Sequence, residues 1–63
     1  MFNDLDVVRA TRDLTPEIKR HCIGTVVFVH SDPYEAYEVE FFDDTHTTLD
    51  VLTVESDDIE PRN

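Results

Sequence analysis

Residues 37–44 read YEVEFFDD, and their alternation decides the predicted fold. Tyr37, Val39 and Phe41 alternate with two glutamates. This is the period of two expected of a β-strand that turns one face to a core and the other to solvent. The outward positions carry only carboxylates, although Lys, Thr or Ser would suit a solvated face equally well. The stretch predicts a half-buried strand and raises the question of what its acidic face does.

The segments on either side of this strand are also short, apolar and β-branched. Strands are predicted over residues 5–11, 23–29, 36–42 and 47–54, and residues 56–61 are predicted to form a short turn and a final edge segment. Turn-forming residues at 30–33 and 43–46 separate the central strands, and the second of these turns closes a tight hairpin. Such spacing, with almost no helical periodicity, predicts a small antiparallel barrel of about five short strands.

The same alternation predicts which side chains form the core. The predicted core is Val8, Val26, Phe28, Tyr37, Val39, Phe41, Leu52 and Val54, with Leu5, Ile23 and Leu49 filling the ends. In the fourth strand the apolar residues change parity, which predicts a bulge or a bend near Val51. The only glycine, Gly24, predicts either a bulge or a close backbone approach. Residues 12–20 are predicted to form a loop, which contains one helical turn started by residues 15–17.

Length and composition point to one domain over residues 1–63. Leu, Ile, Val and Phe supply 19 of the 63 residues, enough to form a core. One cysteine allows no internal disulfide and fits a reducing compartment, and no apolar run is long enough to span a membrane. We therefore expect a folded cytoplasmic protein that lies outside membranes.

The charge is distributed unevenly. Residues 1–31 carry four acids and four bases, whereas residues 32–63 carry eleven acids and one base, so the net charge of −10 belongs to the second half. A domain of this kind repels nucleic acids and anionic membranes, and its field steers it towards basic partners. The four bases of the first half are too few to bind RNA against this background, which argues against nucleic-acid binding.

The residues typical of enzymes and metal sites occur in unsuitable patterns. His21 and Cys22 are adjacent, so their side chains point apart and cannot form a thiol–imidazole pair. Ser31 and Ser56 lack the flanking glycines of a nucleophile elbow. The acidic turns have no calcium-loop spacing and the three histidines have no zinc-site spacing. We therefore expect no catalytic residue, no metal and no cofactor.

The acidic face is the remaining candidate for function. Its carboxylates exceed what solubility needs, since a net charge of about 2–8 is sufficient for a small domain. Tyr34 and Phe42 flank the acidic strand and are predicted to anchor a partner. The predicted partner-binding residues are Tyr34, Glu38, Glu40, Phe42, Asp43, Asp44, Asp50, Asp57 and Asp58.

The order of these segments resembles a family of short bacterial proteins, domain-of-unknown-function family 4926. The matching segments are 5–8, 11–14, 23–29, 37–41, 48–49 and 57–61. The resemblance implies an SH3-like barrel. Members of the family usually have glycine where His21 and His46 stand, and this implies a left-handed backbone at both positions.

The resemblance also implies an immunity or antitoxin role, because such proteins look like the products of small partner genes that lie beside genes for toxin-like domains. Our first hypothesis is that the acidic face neutralises a basic toxin-like or nuclease-like protein encoded nearby. The second hypothesis is a structural subunit or adaptor that binds a protein through apolar surface. A homodimer is compatible with both hypotheses.

Overall fold

The computed structural model describes residues 2–62, and its strands form one antiparallel sheet. The strands are β1 (Val7–Ala10), β2 (Ile23–His30), β3 (Ala36–Phe42), β4 (Thr48–Val54) and β5 (Ile59–Pro61). One turn of 3-10 helix, Ser56–Asp58, joins β4 to β5. No helix within these residues has the length and apolar character needed to cross a membrane. The predicted all-β class and the five strands are confirmed, although β1 is shorter than the predicted 5–11.

The strands run in the order β4-β3-β2-β1-β5 across the sheet. Strands β1 to β4 pair with their neighbours in the chain, and β5 then returns to pair with β1. The sheet is open in the described part of the chain, because the edge strands β4 and β5 do not pair with each other. The structure therefore shows the antiparallel sheet of the prediction but not its closure into a barrel.

One hydrophobic core covers the inner face of the sheet. Six predicted members are buried: Val8, Val26, Tyr37, Val39, Phe41 and Val54. Leu49 and Leu52 are half-buried and pack against this core. The alternation of β3 thus holds as predicted, because three of its side chains in steps of two are completely buried.

A bulge in β2 overturns the prediction that Phe28 belongs to the core. Val26 pairs with Val39, but the next pair along the ladder joins Phe28 to Glu38, so Val27 is an extra residue. An extra residue reverses the alternation beyond it. Phe28 therefore turns to the outer face beside Glu38, where it is 53% exposed, and Val29 packs against the core instead.

Two other predictions about apolar residues need correction. The bulge in β4 lies earlier than Val51: Phe41 pairs with Asp50 and Phe42 with Thr48, which leaves Leu49 as the extra residue. Leu5 does not fill an end of the core. It adopts a left-handed backbone conformation (φ 71°) before β1, and its side chain is 76% exposed.

The loop between β1 and β2 contributes core residues that the sequence patterns did not reveal. Ile18 is completely buried, and its N–H donates to Thr15 Oγ1 at 3.0 Å while its carbonyl accepts from Leu14 N–H at 2.8 Å. No helical turn forms at 15–17. The other buried apolar residues missing from the prediction are Ala10, Ala36 and Ile59. A single apolar residue in a polar loop has no periodicity, so pattern analysis could not find Ile18.

Gly24 marks a close approach between β2 and β3. A Cβ atom at this position would lie 2.7 Å from Val39 Cγ1, 2.9 Å from the Glu40 carbonyl oxygen and 2.9 Å from Phe41 Cδ1. Two of these atoms belong to completely buried side chains and the third to backbone. The close approach predicted for the only glycine is confirmed, and the bulge of β2 lies three residues further on.

We predict that Gly24→Ala lowers the free energy of unfolding by about 1–3 kcal/mol, because an extra methyl group would overpack the junction of β2 and β3. Urea denaturation monitored by circular dichroism measures the change. Ser31→Ala, at an exposed loop position, is the control and should stay within about 0.5 kcal/mol of the parent chain. Equal midpoints for the Gly24 variant and the parent would contradict the close approach.

Candidate protein-binding face

The outer face of the sheet carries the acidic residues of β3, and cross-strand hydrogen bonds hold them. Glu38 accepts a hydrogen bond from His30 Nε2 at 2.8 Å and another from Thr53 Oγ1 at 2.8 Å. These two bonds, the one from His30 first, lower the pKa of Glu38 below its ordinary value. Glu38 is therefore a charged tie between β2, β3 and β4, with 30% of its side chain exposed.

Glu40 is held in the same way. Its carboxylate accepts a hydrogen bond from Thr48 Oγ1 at 2.6 Å, from the neighbouring strand β4. The hydroxyl partners of Glu38 and Glu40 fix both carboxylates without neutralising their charge.

Asp43 organises the β3–β4 hairpin rather than the sheet. Its Oδ1 accepts hydrogen bonds from the Thr45 amide at 2.9 Å, the Thr45 hydroxyl at 2.7 Å and the Thr47 amide at 2.9 Å. These bonds lower the pKa of Asp43, with the Thr45 hydroxyl as the largest cause. The adjacent Asp44 is exposed and accepts no hydrogen bond within residues 2–62.

The remaining predicted acids lie away from the outer face of β3. Asp50 pairs with Phe41, and its Oδ1 accepts from the Val51 amide at 2.8 Å. Asp58 forms an ion pair with Arg12 at 2.8 Å. Asp57 is exposed beside it in the 3-10 turn. The structure thus brings Glu38 and Glu40 together and leaves these three acids elsewhere, with two of them bonded within the fold.

The two aromatic residues predicted as anchors lie at opposite ends of β3. Tyr34 precedes the strand and is 68% exposed. Phe42 ends the strand, is half-buried, and has its ring 6.3 Å from that of His46. Seven residues of strand span about 20 Å, so Tyr34 and Phe42 flank the acidic strand without sharing one pocket.

Four apolar side chains at the β1–β2 side of the sheet are exposed, and two of them, Leu5 and Phe28, were predicted to be buried. Val7 and Val27 are 43% and 44% exposed, beside the more exposed Leu5 and Phe28. The Leu5 amide donates to the Val26 carbonyl at 2.7 Å, which brings this residue to the bulge of β2. The sequence contains one signal for this patch: residues 26–29 form an unbroken apolar run, which a strictly alternating strand cannot bury on one face.

Cys22 is half-buried and immediately precedes β2. Its thiol donates to the Phe42 carbonyl at 3.4 Å. Burial raises the pKa of the thiol, and the negative charges of Asp43 and Asp44 raise it further. A raised pKa keeps the thiol protonated and poorly nucleophilic. Within residues 2–62 no group of three His, Cys, Asp or Glu side chains converges on a possible metal position.

The left-handed backbone implied at His21 and His46 is confirmed, with φ of 78° and 64°. Both residues are exposed, and each stands at the end of a loop that borders the sheet. Glycine adopts such a conformation without strain, whereas other residues adopt it less readily.

Fold and face together define an all-β module that presents fixed carboxylates next to exposed apolar residues. Residues 4–61 match the family described as Domain of unknown function (DUF4926). The chain belongs to this family, since the match covers nearly its whole length. No curated protein and no solved structure matches the chain.

We predict that acid destabilises the fold through Glu38 and Asp43. Both pKa values are lowered from ordinary values of 4.5 and 3.8. A lowered pKa stabilises the native state above the ordinary value, and this stability is lost as the pH falls through the native pKa. The urea midpoint should therefore fall between about pH 5 and about pH 2.

The matched variants Glu38→Gln and Asp43→Asn should lower stability at neutral pH. They should also flatten the dependence of the urea midpoint on pH, because the amides that replace the carboxylates do not titrate. Asp44→Asn is the control, because Asp44 accepts no hydrogen bond in the described chain, and it should leave the slope unchanged. An equally steep slope in the Glu38 and Asp43 variants would show that other carboxylates cause the acid sensitivity.

Proposed function

We propose that this chain is a protein-binding module that neutralises a basic partner through the outer face of its sheet. The observation that supports the proposal is the pairing of Phe28 with Glu38, which sets an exposed aromatic ring beside a fixed carboxylate. Interfaces combine such apolar anchors with charges that select the partner. The proposed role is that of an immunity protein or antitoxin.

Fixed charge favours this face over the other acidic positions. Glu38 and Glu40 are already held by hydrogen bonds to their neighbours, so binding would cost little additional side-chain entropy. A cation of the partner would meet both carboxylates on one face of β3. Thr25 and Val51 continue this row on the neighbouring strands, each opposite Glu40.

Apolar contact would come from Phe28 and Val51, which are 53% and 48% exposed on either side of the two glutamates. Phe28 of β2 pairs with Glu38, and Val51 of β4 pairs with Glu40. An apolar residue therefore flanks the two acids of β3 on each side. Tyr34 and Asp44 remain candidate contacts at the two ends of β3. This arrangement fits a partner surface with Lys or Arg around an apolar patch.

The proposed mechanism is occlusion without catalysis or a cofactor. The raised pKa of the Cys22 thiol supports a non-catalytic role, since a protonated thiol is a poor nucleophile. The chain would act in the cytoplasm on a toxin-like or nuclease-like protein encoded nearby, where a reduced, half-buried Cys22 is stable. Its carboxylates would take the place of an acidic substrate in the basic site of that partner.

A second candidate function is that of an adaptor or structural subunit that binds through apolar surface. The exposed patch of Leu5, Val7, Val27 and Phe28 favours it. Phe28 belongs to both candidate surfaces, so the two functions differ in which neighbours of Phe28 matter. Acidic neighbours make binding sensitive to salt, whereas apolar neighbours do not.

We predict that the purified product of the adjacent gene binds the chain, and that raising salt from about 50 mM to about 300 mM weakens the complex. Glu38→Gln with Glu40→Gln should slow association about tenfold, because the variant keeps the hydrogen-bond acceptors and removes two charges. Surface plasmon resonance measures the association rate. Absence of a complex at low salt would contradict the proposal.

The control is Asp4→Asn with Glu17→Gln, which removes the same charge from exposed positions in the first half. It should leave the association rate within about twofold of the parent. An equal fall in the association rate of both double variants would mean that only net charge matters and that the outer face is not the docking site. Binding that resists salt and is lost in Leu5→Ser with Val27→Ser would favour the adaptor.

A further inference from the structure

An open groove of about 800 Å³ crosses the sheet at the end opposite to Glu38 and Phe28. The loop before β2 and the β3–β4 hairpin form its two walls. Its floor is apolar and includes Ile23, Phe42 and Leu49, all half-buried. A groove of this size with an apolar floor can accept part of another protein.

The charges of the groove are sorted by wall. Lys19 and Arg20 lie on the wall before β2, and Arg62 follows β5 on the same side of the strand order. Asp43 and Asp44 lie on the opposite wall, in the hairpin that follows β3. Glu17 also lines the basic side and reduces its charge without reversing it. The groove thus has one basic wall and one acidic wall.

Two of these six charges are engaged inside the chain: Lys19 lies 3.9 Å from Asp13, and Asp43 is hydrogen-bonded within its hairpin. The other two bases are engaged, Arg9 with Glu60 and Arg12 with Asp58. Within residues 2–62, the guanidinium groups of Arg20 and Arg62 and the carboxylate of Asp44 take part in no ion pair. All three line the groove.

From this arrangement we infer that the groove binds a second copy of the chain in a symmetric dimer. A two-fold axis parallel to the groove, between two copies set face to face, exchanges the walls, so that the basic wall of each copy meets the acidic wall of the other. Arg20 of one copy then faces Asp44 of the other, and this contact occurs twice. The two apolar floors are covered together.

The charge balance selects a second copy over a foreign basic protein. The three bases of the groove balance its three acids, so the groove lining is neutral apart from two histidines, although the whole chain carries −10. A basic partner would be repelled by one wall and an acidic partner by the other. A short chain without disulfides also gains stability when it buries apolar surface against a copy of itself.

The dimer does not depend on Phe28 and Glu38, because neither lines the groove, although Val7, Thr25 and Asp44 belong both to the groove and to the candidate binding surfaces. Glu38, Glu40 and Phe28 would stay available in each copy, and Arg20 belongs to the groove alone. A dimer would therefore present two such faces to a partner, and loss of the dimer would leave the binding of each single face intact.

A charge-swap experiment tests the dimer by sedimentation velocity over a range of concentrations. We expect the parent chain to dimerise, and Arg20→Glu or Asp44→Lys alone to raise the dimer dissociation constant at least about tenfold, because each variant makes two like-charge contacts per dimer. An equimolar mixture of Arg20→Glu and Asp44→Lys should restore the dimer, since both contacts then join opposite charges.

Asp4→Lys is the matched control, because it makes the same charge change at an exposed position outside the groove. It should leave the dimer intact, and mixing it with Arg20→Glu should give no rescue. Circular dichroism verifies that every variant is folded. A parent chain that stays monomeric into the millimolar range overturns the inference, as does a dimer that neither single variant weakens.

Discussion

The extra residue Val27 in β2 is the constraint on which the rest of the structure depends. It lets Val26 pair with Val39 inside the core while Phe28 pairs with Glu38 outside it. Beyond Val27 the inward-facing positions of β2 shift by one residue, so Val29 rather than Phe28 packs against the core. Strict alternation would have buried Phe28 and exposed Val29, leaving Glu38 without its aromatic neighbour. The bulge therefore shapes the core and the candidate binding face at once.

The acidic strand β3 serves the fold as well as the proposed function. Glu38 joins β2 and β4 through His30 and Thr53, so one carboxylate ties together three strands. Such bonds answer why carboxylates stand on this face: each one accepts hydrogen bonds from its neighbours and keeps its charge. Like charges in one sheet destabilise it, and these cross-strand bonds offset the repulsion. Fold stability and charge display thus use the same atoms.

Sequence patterns predicted what depends on local rules. The alternation of β3 set its bounds and buried face, and Gly24 marked a close approach because only a residue without Cβ fits there. The outward turn of Phe28 could not be predicted in the same way, since a bulge depends on how β2 pairs with β3. Ile18 is buried by tertiary packing of a loop that has no periodicity. Sequence patterns therefore found the acids of the candidate site, but they did not find Phe28, whose exposure depends on strand pairing.

Stability measurements on two neighbouring residues test the bulge most directly. Val26→Ala should lower the free energy of unfolding by about 2 kcal/mol or more, because it opens a cavity in the core. Phe28→Ala should lower it by about 1 kcal/mol or less, because the side chain is 53% exposed and its ring lies 4.8 Å from that of His30 outside the core. A loss of about 3–5 kcal/mol for Phe28→Ala would be that of a core phenylalanine and would contradict the bulge at Val27.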